Sequence, residues 1–354
     1  MNKITLLEKL LENLTEEQID SVLESVKGMQ PHESKGECEP EIGRCPHCGS
    51  ASFVKNGKDA KGRQRYLCKE CGHTFSRATN AFLFHSKVSE RKWSEFIDYE
   101  ITGMPLKEES HYLGLSVHSC FRMRHKLYRA ASEIAEASTK LGGTMQLDAS
   151  YRKINLKGTK PWNMPRPSKK RGGGSAYSGI SHHKVCIIGA VDSRDNMFLK
   201  IAGLGAESKE KYLQCTDYMD GVEAIVSDSK ACISHVANVL EVEHDKIIPS
   251  PDPMLKNYVS PLGNALGDVN ELDSGISKII ARTHGVSTRY LQSYLDFYCY
   301  VKQMRYKIER SRLCEAIFDS VKRKKPHSEK WLAAMELPIS LKEAYYEYRY
   351  GIFA

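Results

Sequence analysis

Two sets of residues in this chain are spaced so that they could do chemistry: four cysteines near the front and a scatter of aspartates behind them. Cys45-Pro46-His47-Cys48 and Cys68-Lys69-Glu70-Cys71 are Cys-x-x-Cys pairs, with 19 residues between Cys48 and Cys68. Two thiolates on one tight turn grip a single ion, and two such turns complete a tetrahedral site. That site suits zinc, which is borderline-soft and has no geometric demand of its own. Gly49 and Gly72 follow the second cysteine of each pair and free the backbone to curl around the sulfur. Strand-like stretches at 52–55 and 64–67 flank Asn56-Gly57, which reads as a turn. Residues 43–77 are therefore expected to form a zinc ribbon with one structural zinc, a unit too small to fold on an apolar core alone. Lys55, Lys58, Lys61, Arg63, Arg65, Lys69 and Arg77 crowd it, and such clustering predicts contacts with phosphates, with Arg63 and Arg65 as candidates.

The acids are less specific. Asp148 lies in a strand-like run at 145–151, just after a glycine pair. Asp228 follows the apolar run 222–226, in Ser227-Asp228-Ser229-Lys230. A third polar group, Asp268-Val269-Asn270-Glu271-Leu272-Asp273-Ser274, opens a helix. Two strand-end acids and one from a later helix can cage two divalent cations. Carboxylate oxygens suit Mg²⁺, with Mn²⁺ an alternative. Two such ions serve in-line phosphoryl transfer by activating the attacking oxygen and stabilising the leaving one. The chain carries 44 acidic residues, however, and strand-end aspartates commonly cap turns, so spacing alone leaves both readings open.

The elements that must position these groups follow from periodicity. Leu6, Leu7, Leu10, Leu11 and Leu14 form one helical stripe, and Ile19, Val22, Leu23 and Val26 form a second, behind Thr15 and Gln18 as a capping box. Residues 4–28 thus read as a helical hairpin and 29–42 as a polar linker. Trp93, Phe96, Ile97 and Ile101 give a helix ending at Gly103, 106–113 a second, and 117–131 a third after the Gly114 turn and a Ser116 cap. That order predicts a helix-turn-helix. On the third helix Val117, Phe121, Leu127 and Tyr128 suit packing, while His118, Ser119, Arg122, Lys126 and Arg129 suit an outer, DNA-facing surface. Strand runs at 185–191 and 198–201 then alternate with helical stretches, an α/β pattern. Residues 157–181 are rich in Lys, Arg, Gly and Pro; Lys169, Lys170 and Arg171 mark them as a DNA-contacting loop, and Lys278 is a further basic candidate. The expected domains are 1–42 hairpin and linker, 43–77 ribbon, 78–141 helical DNA-binding region, 142–300 catalytic domain and 301–354 helical tail.

At 354 residues, with 41% hydrophobic and 27% charged residues, more than one folded unit is expected. The net charge of +8 favours an acidic partner. No apolar run is long enough to span a bilayer. The 11 cysteines, an odd number with four of them clustered in two pairs, point to a reducing compartment, and a cytoplasmic, nucleoid-associated location is expected.

Several stretches together resemble bacterial insertion-sequence transposases with an N-terminal zinc ribbon and a DDE domain, of the ISXO-like branch. They are the ribbon cysteines, Phe121-Arg122-Met123-Arg124-His125-Lys126-Leu127, Leu147-Asp148, Lys157-Gly158 and Met164-Pro165-Arg166. They continue with Lys170-Arg171-Gly172, Gly179-Ile180-Ser181 into 185–192, Val226-Ser227-Asp228, Val269-Asn270, and Gly285-Val286-Ser287-Thr288-Arg289-Tyr290-Leu291. The resemblance runs from about residue 43 to 300 and implies an RNase H-like fold, a mixed sheet flanked by helices. It implies binding of inverted-repeat DNA, Mg²⁺-dependent 3′-end cleavage and strand transfer, and at least a homodimer to pair two ends. Asp148 and Asp228 match the first two catalytic aspartates. Ala149 stands where the family often has Glu. In the family's register Asn270 leads and Asp273 is the third group, with Ser277 at the usual Lys position and Lys278 beside it. Glu271, Asn270 and Asp268 remain competitors; helical spacing puts Asn270, Asp273 and Ser277 on one face and turns Glu271 about 100° away. Ala149 and Ser277 keep open a catalytically weakened DNA-binding derivative; an RNase H-like nuclease without strand transfer is the second alternative.

Overall fold

The structure is a computed structural model that describes residues 43–345 except 61, 78, 80, 85, 160–163, 167–176, 249–259, 261, 326 and 343. The expected hairpin and linker at 1–42 lie outside the described residues, as do Lys61, Trp162, Lys169, Lys170 and Arg171. The chain divides into two compact units between Arg77 and Ala78.

The first unit is an antiparallel three-stranded sheet in the order β1 (Phe53–Lys58), β2 (Gln64–Cys68), β3 (Thr74–Ser76). Its apolar contact is small: Phe53, Tyr66 and Phe75 pack ring on ring at 5.4–5.7 Å, beside buried Cys45 and Cys68. The hairpin turn is not Asn56-Gly57. Those residues lie within β1, where the register slips between Lys55 and Lys58 and Gly57 takes φ +64°. The chain reverses instead at 59–63, where Asp59 accepts from the Arg63 backbone N–H at 2.9 Å and pairs with the Arg63 guanidinium at 2.7 Å. A side chain that bonds its own turn here outweighs the local Asn-Gly preference, which serves the bulge.

The second unit opens with three helices: α1 (Glu90–Thr102), α2 (Leu106–Leu113) and α3 (Val117–Ser138). Gly103 and Gly114 end the first two in left-handed geometry, and the Ser116 side chain caps α3, so the helix–turn–helix arrangement forms where the sequence placed it. A five-stranded sheet follows: β4 (Leu141–Lys153), β5 (Lys184–Asp192), β6 (Met197–Leu204), β7 (Met219–Asp228) and β8 (Glu243–Ile247). Its order is β6-β5-β4-β7-β8, with β4, β5 and β6 antiparallel and β7 and β8 parallel to β4. This is the mixed, RNase H-like sheet. Gly142 makes the β4–β7 pairing possible, because a Cβ there would stand 2.8 Å from the Asp220 carbonyl oxygen.

One sheet face carries Leu141, Met145, Leu147, Ile188 and Ala190 against α4 (Lys209–Leu213) and α5 (Ala231–Leu240). The other face packs on α3, α6 (Gly267–Arg282) and α7 (Thr288–Lys307), with α8 (Arg310–Lys322) and α9 (Glu329–Ala333) completing that layer. Residues 78–141 have no core of their own: Trp93, Phe96, Leu127 and Tyr128 share one apolar cluster with Val185, Ile187, Leu199 and the α7 residues Tyr294 and Phe297.

That packing changes the expectation for α3. It runs to Ser138, seven residues beyond 131, and is surrounded by α2, α7, α8 and α9. Arg124 is buried and joins the first three helices: its Nε donates to Glu100 at 2.5 Å and its Nη2 to Glu109 at 3.0 Å, while the Tyr128 hydroxyl donates to Glu100 at 2.7 Å. Burial, with Glu100 second, pushes the Glu109 carboxyl up to about 8, so near neutrality the pocket need hold only one net carboxylate against one guanidinium.

Candidate active site

The ribbon brings its four cysteine ligand atoms within 4.8 Å of one another, and among the described residues it is the one such metal-binding set of His, Cys, Asp or Glu. Sγ–Sγ separations are 3.8 Å for Cys45–Cys71 and 3.5 Å for Cys48–Cys68. Tetrahedral Zn–S bonds of about 2.3 Å imply edges near ~3.8 Å, so the cage fits one zinc ion. Backbone N–H groups of Cys71 and Glu70 point at Cys68 and hold its thiol down at about 6, favouring the thiolate. Arg63 is exposed and paired to Asp59, and half-buried Arg65 reaches the Thr74 hydroxyl at 3.5 Å.

In the second unit, Asp148 and Asp228 come together through strand register. Gln146 on β4 is aligned with Val226 on β7, and each aspartate lies two residues further along its parallel strand. Alternation sends Leu147 and Ala149 into the α4–α5 face and leaves Gln146, Asp148 and Arg152 on the α6 face. Burial is the main reason that the Asp148 carboxyl is raised above the usual carboxylate range; Lys230 pulls it down, and Asp228 and Glu207 push it up. Asp228 Oδ1 is buried without a hydrogen-bond partner. A raised acid beside an unpartnered carboxylate oxygen is a site that favours a cation.

Two members of this cluster carried no signal in the sequence. Glu207, in the loop before α4, receives the Lys230 ammonium at 2.6 Å, and that ammonium also meets Asp228 Oδ2 at 2.8 Å. Glu207 is fixed by the Tyr151 hydroxyl at 3.1 Å and by the Tyr212 hydroxyl. Burial works against the charge on Lys230, but its bonds to Asp228 and Glu207 hold its pKa above the ordinary lysine value. Nothing in Ala206-Glu207-Ser208 distinguishes it from a helix-capping stretch, so only the tertiary structure shows this glutamate facing Asp228 across a lysine.

The helix that bears the third acid is clamped to β4 on both sides of Asp148. Gln146 Oε1 accepts the Asp268 and Val269 backbone N–H groups at 3.1 and 3.2 Å, supplying the cap that Leu266 cannot, and its Nε2 donates to Asp268 at 2.6 Å. At the far side Arg152 Nη2 donates to the Asp273 carboxylate and, at 2.9 Å, to the Ser277 hydroxyl. Glu271 is turned to α7, where it pairs with Lys302 at 2.9 Å. Asn270 is exposed, Lys278 is exposed, and Asp273 is engaged by Arg152. The expected cage of Asp148, Asp228 and Asp273 is therefore not assembled, because Arg152 satisfies the third carboxylate instead. Asp192, another strand-end acid, is a plain cap, accepting the Gly142, Arg194 and Asn196 backbone N–H groups.

The expected DNA-facing cations of α3 are occupied within the unit. Arg122 pairs with Glu329 at 3.0 Å, and Arg129 reaches Glu133 and Glu136 at 3.5 and 3.8 Å. Lys126 lies over the Phe82 and Trp93 rings at 4.8 and 5.6 Å, and burial, with Arg122 second, pulls its ammonium down to about 8. Conversely Val117 and Phe121, expected to pack, are exposed. The reason is that α3 is a central helix, so apolar and basic positions alike are set by the helices around it.

Comparison with known proteins adds three findings. A family model described as the InsA N-terminal domain, a zinc ribbon, matches residues 43–72. A protein of Halobacterium salinarum described as an uncharacterised protein in transposable element ISH50 is 30% identical over 129 residues, which is 36% of this chain and 42% of the relative. The match thus spans less than half of that relative, an archaeal protein. Among solved structures, the Mos1 strand transfer complex aligns with 69% of this chain and 82% of its own at 13% identity and a TM-score of 0.28. The HTLV-2 integrase catalytic core with magnesium aligns with 46% of this chain and 85% of its own at 10% identity and a TM-score of 0.26. Among the described residues no helix is long and apolar enough to cross a membrane.

Proposed function

We propose that this chain is an insertion-sequence transposase of the DDE type that cuts and joins transposon-end DNA. The observation that carries it is the register of β4 and β7, which sets Asp148 beside Asp228 at matched positions of parallel strands, in a chain that also bears an InsA-type ribbon. The likeness to an insertion-element protein supports the same class.

Asp148 and Asp228 offer hard oxygen donors, one with an unpartnered buried oxygen, and these fit divalent cations such as Mg²⁺. When bound, such ions would polarise the phosphodiester and lower the pKa of the attacking hydroxyl or water. The chain's own part is positioning. Glu207 and Asp228 fix the Lys230 ammonium, a positive charge in place for the developing charge on phosphate. Gln146 and Arg152 hold α6 against β4, so that Asn270 and Asp273 share the helix side toward the acids. Exposed basic residues of the ribbon contact DNA backbone, and at least two copies pair the two ends.

A second reading, a weakened DNA-binding derivative, is favoured by one observation: Asp273 is engaged by Arg152, and Ser277 stands at the lysine position. Labelled DNA carrying the inverted repeats that flank the coding region, incubated with the full chain and Mg²⁺, separates them. A joined product, lost in Asp148→Ala and Asp228→Ala, supports a transposase. Cleavage without joining points to a nuclease, and binding without cleavage to the derivative.

A further inference from the structure

Four stretches far apart in sequence meet around one cavity of about 690 Å³ in the second unit: Met104–Lys107 at the start of α2, the start of α3, the turn at Lys157-Gly158, and the segment that runs from Arg282 at the end of α6 into α7. Neither Asp148 nor Asp228 lines it. None of these stretches has a part in the chemistry above.

The walls have a definite character. Lys107, Lys157, Arg282 and Arg289 contribute cations, Arg124 lines it too but is paired with Glu100 and Glu109, and among the described residues no aspartate or glutamate lines the cavity. Phe121, at the mouth of α3, is 42% exposed, an aromatic ring left in water at a hydrophobic cost. Deeper lies His125, 6% exposed, with Phe121 edge-on at 4.4 Å and Tyr290 at 4.2 Å between ring centres. Its Nε2 is buried without a hydrogen-bond partner. Burial, with the Arg124 charge second, pulls the imidazole down to about 4, so near neutrality it can offer a neutral donor or acceptor.

A cation-only rim calls for an anion, and flat aromatic walls call for a flat apolar body. Inorganic phosphate would not use the aromatics, and an apolar peptide would not use the cations. A nucleotide uses both, and the volume lies within the range of small-ligand sites, about 300–1,000 Å³.

We propose that this cavity receives one unstacked nucleotide of the bound DNA, with its base against Phe121 and Tyr290 and its neighbouring phosphates on Lys157, Arg282 and Arg289. The proposal rests on the reading of the chain as a DNA-acting protein. Phe121 swings aside as the base enters, and the base edge gives His125 Nε2 the partner it lacks. Extruding a base costs least where the strand is already open, so the cavity would favour frayed ends or single strands.

The test uses the full chain and two fluorescein-labelled single strands, oligo-dT of twelve residues and the same backbone with abasic residues throughout, at one salt concentration. Oligo-dT is expected to bind about tenfold more tightly, the difference that stacking on one base supplies. Phe121→Ala, at an exposed position and checked for an intact fold by thermal unfolding, should remove most of that preference, and His125→Phe should reduce it. Equal binding of both strands by the unaltered chain overturns the cavity assignment while the DNA reading stands. So does a preference untouched by Phe121→Ala. Binding to neither strand, nor to duplex DNA, overturns both.

Discussion

The guanidinium of Arg152 holds the carboxylate of Asp273, four residues beyond Asp148 on the same face of β4. A lone acid on α6 would be free to turn toward Asp148 and Asp228; this one is committed to an arginine that also takes the Ser277 hydroxyl. In the proposed enzyme Asp273 could serve with the other two acids only if Arg152 released it.

The third position can be assigned by comparing two substitutions. Glu271→Gln removes an exposed carboxylate from a mostly buried Lys302 ammonium, so stability should fall by about 1–2 kcal/mol while DNA cleavage persists. Asp273→Ala should slow cleavage about a hundredfold, the scale of removing one electrostatic group from an active site. Rates for both variants with labelled end DNA and Mg²⁺ decide it. An active Asp273→Ala beside an inactive Glu271→Gln would give the role to Glu271.

Lys230 occupies the neighbourhood in which a divalent ion would act, bonded to Asp228 and Glu207. Replacing it by glutamine removes a competing positive charge, so Mn²⁺ should bind Lys230→Gln about tenfold more tightly than the unaltered chain, a change on the order of 1 kcal/mol for a half-exposed charge. Calorimetric titration with Mn²⁺ after loading the ribbon with zinc reads this directly. Weaker binding would mean that Lys230 shapes the site rather than competes for it.

Zinc removal should separate the two units. The ribbon has only Phe53, Tyr66 and Phe75 beside its cysteines as apolar contact, whereas structural zinc contributes about 10–16 kcal/mol of binding free energy in comparable small domains. A strong chelator should therefore make residues 43–77 protease-sensitive and leave the unit from Ala78 resistant. Metal analysis should find about one zinc per chain before treatment. A ribbon that stays protease-resistant when metal-free would contradict the zinc assignment.

Stability should fall with rising pH through two buried acids, Asp296 and Glu109. Burial pushes Asp296 up to about 7, although the Ser132 hydroxyl and Gln292 amide both donate to it. Its folded pKa is above its unfolded value, so its contribution is full below about pH 4 and is lost as pH rises through about 7. Urea unfolding at pH 5 and pH 8 should show a decline of up to a few kcal/mol, and Asp296→Asn should make it shallower, leaving the part that Glu109 supplies. An unchanged slope in the variant would assign the decline to other groups.

The sequence by itself determined whatever depends on short spacing. Two Cys-x-x-Cys pairs define a metal cage because each pair closes within one turn. Gly103, Gly114 and Ser116 marked helix ends because a left-handed residue or a capping hydroxyl acts on its own turn. Asp228 was recognisable as a strand-end acid, whereas Asp148 lies inside β4, which runs five residues past it to Lys153. What only the tertiary structure decided depends on which neighbours meet. The Asp59–Arg63 bond moved the ribbon turn away from Asn56-Gly57. The helices around α3 buried Arg124, half-buried Lys126 and left Phe121 exposed, although the helical period alone suggested a different face. Arg152 engaged Asp273, and Glu207 joined Asp228 through Lys230, two ion pairs made between elements distant in sequence. A carboxylate's role follows from the charge that reaches it, and that is fixed by packing across the chain rather than by its position along it.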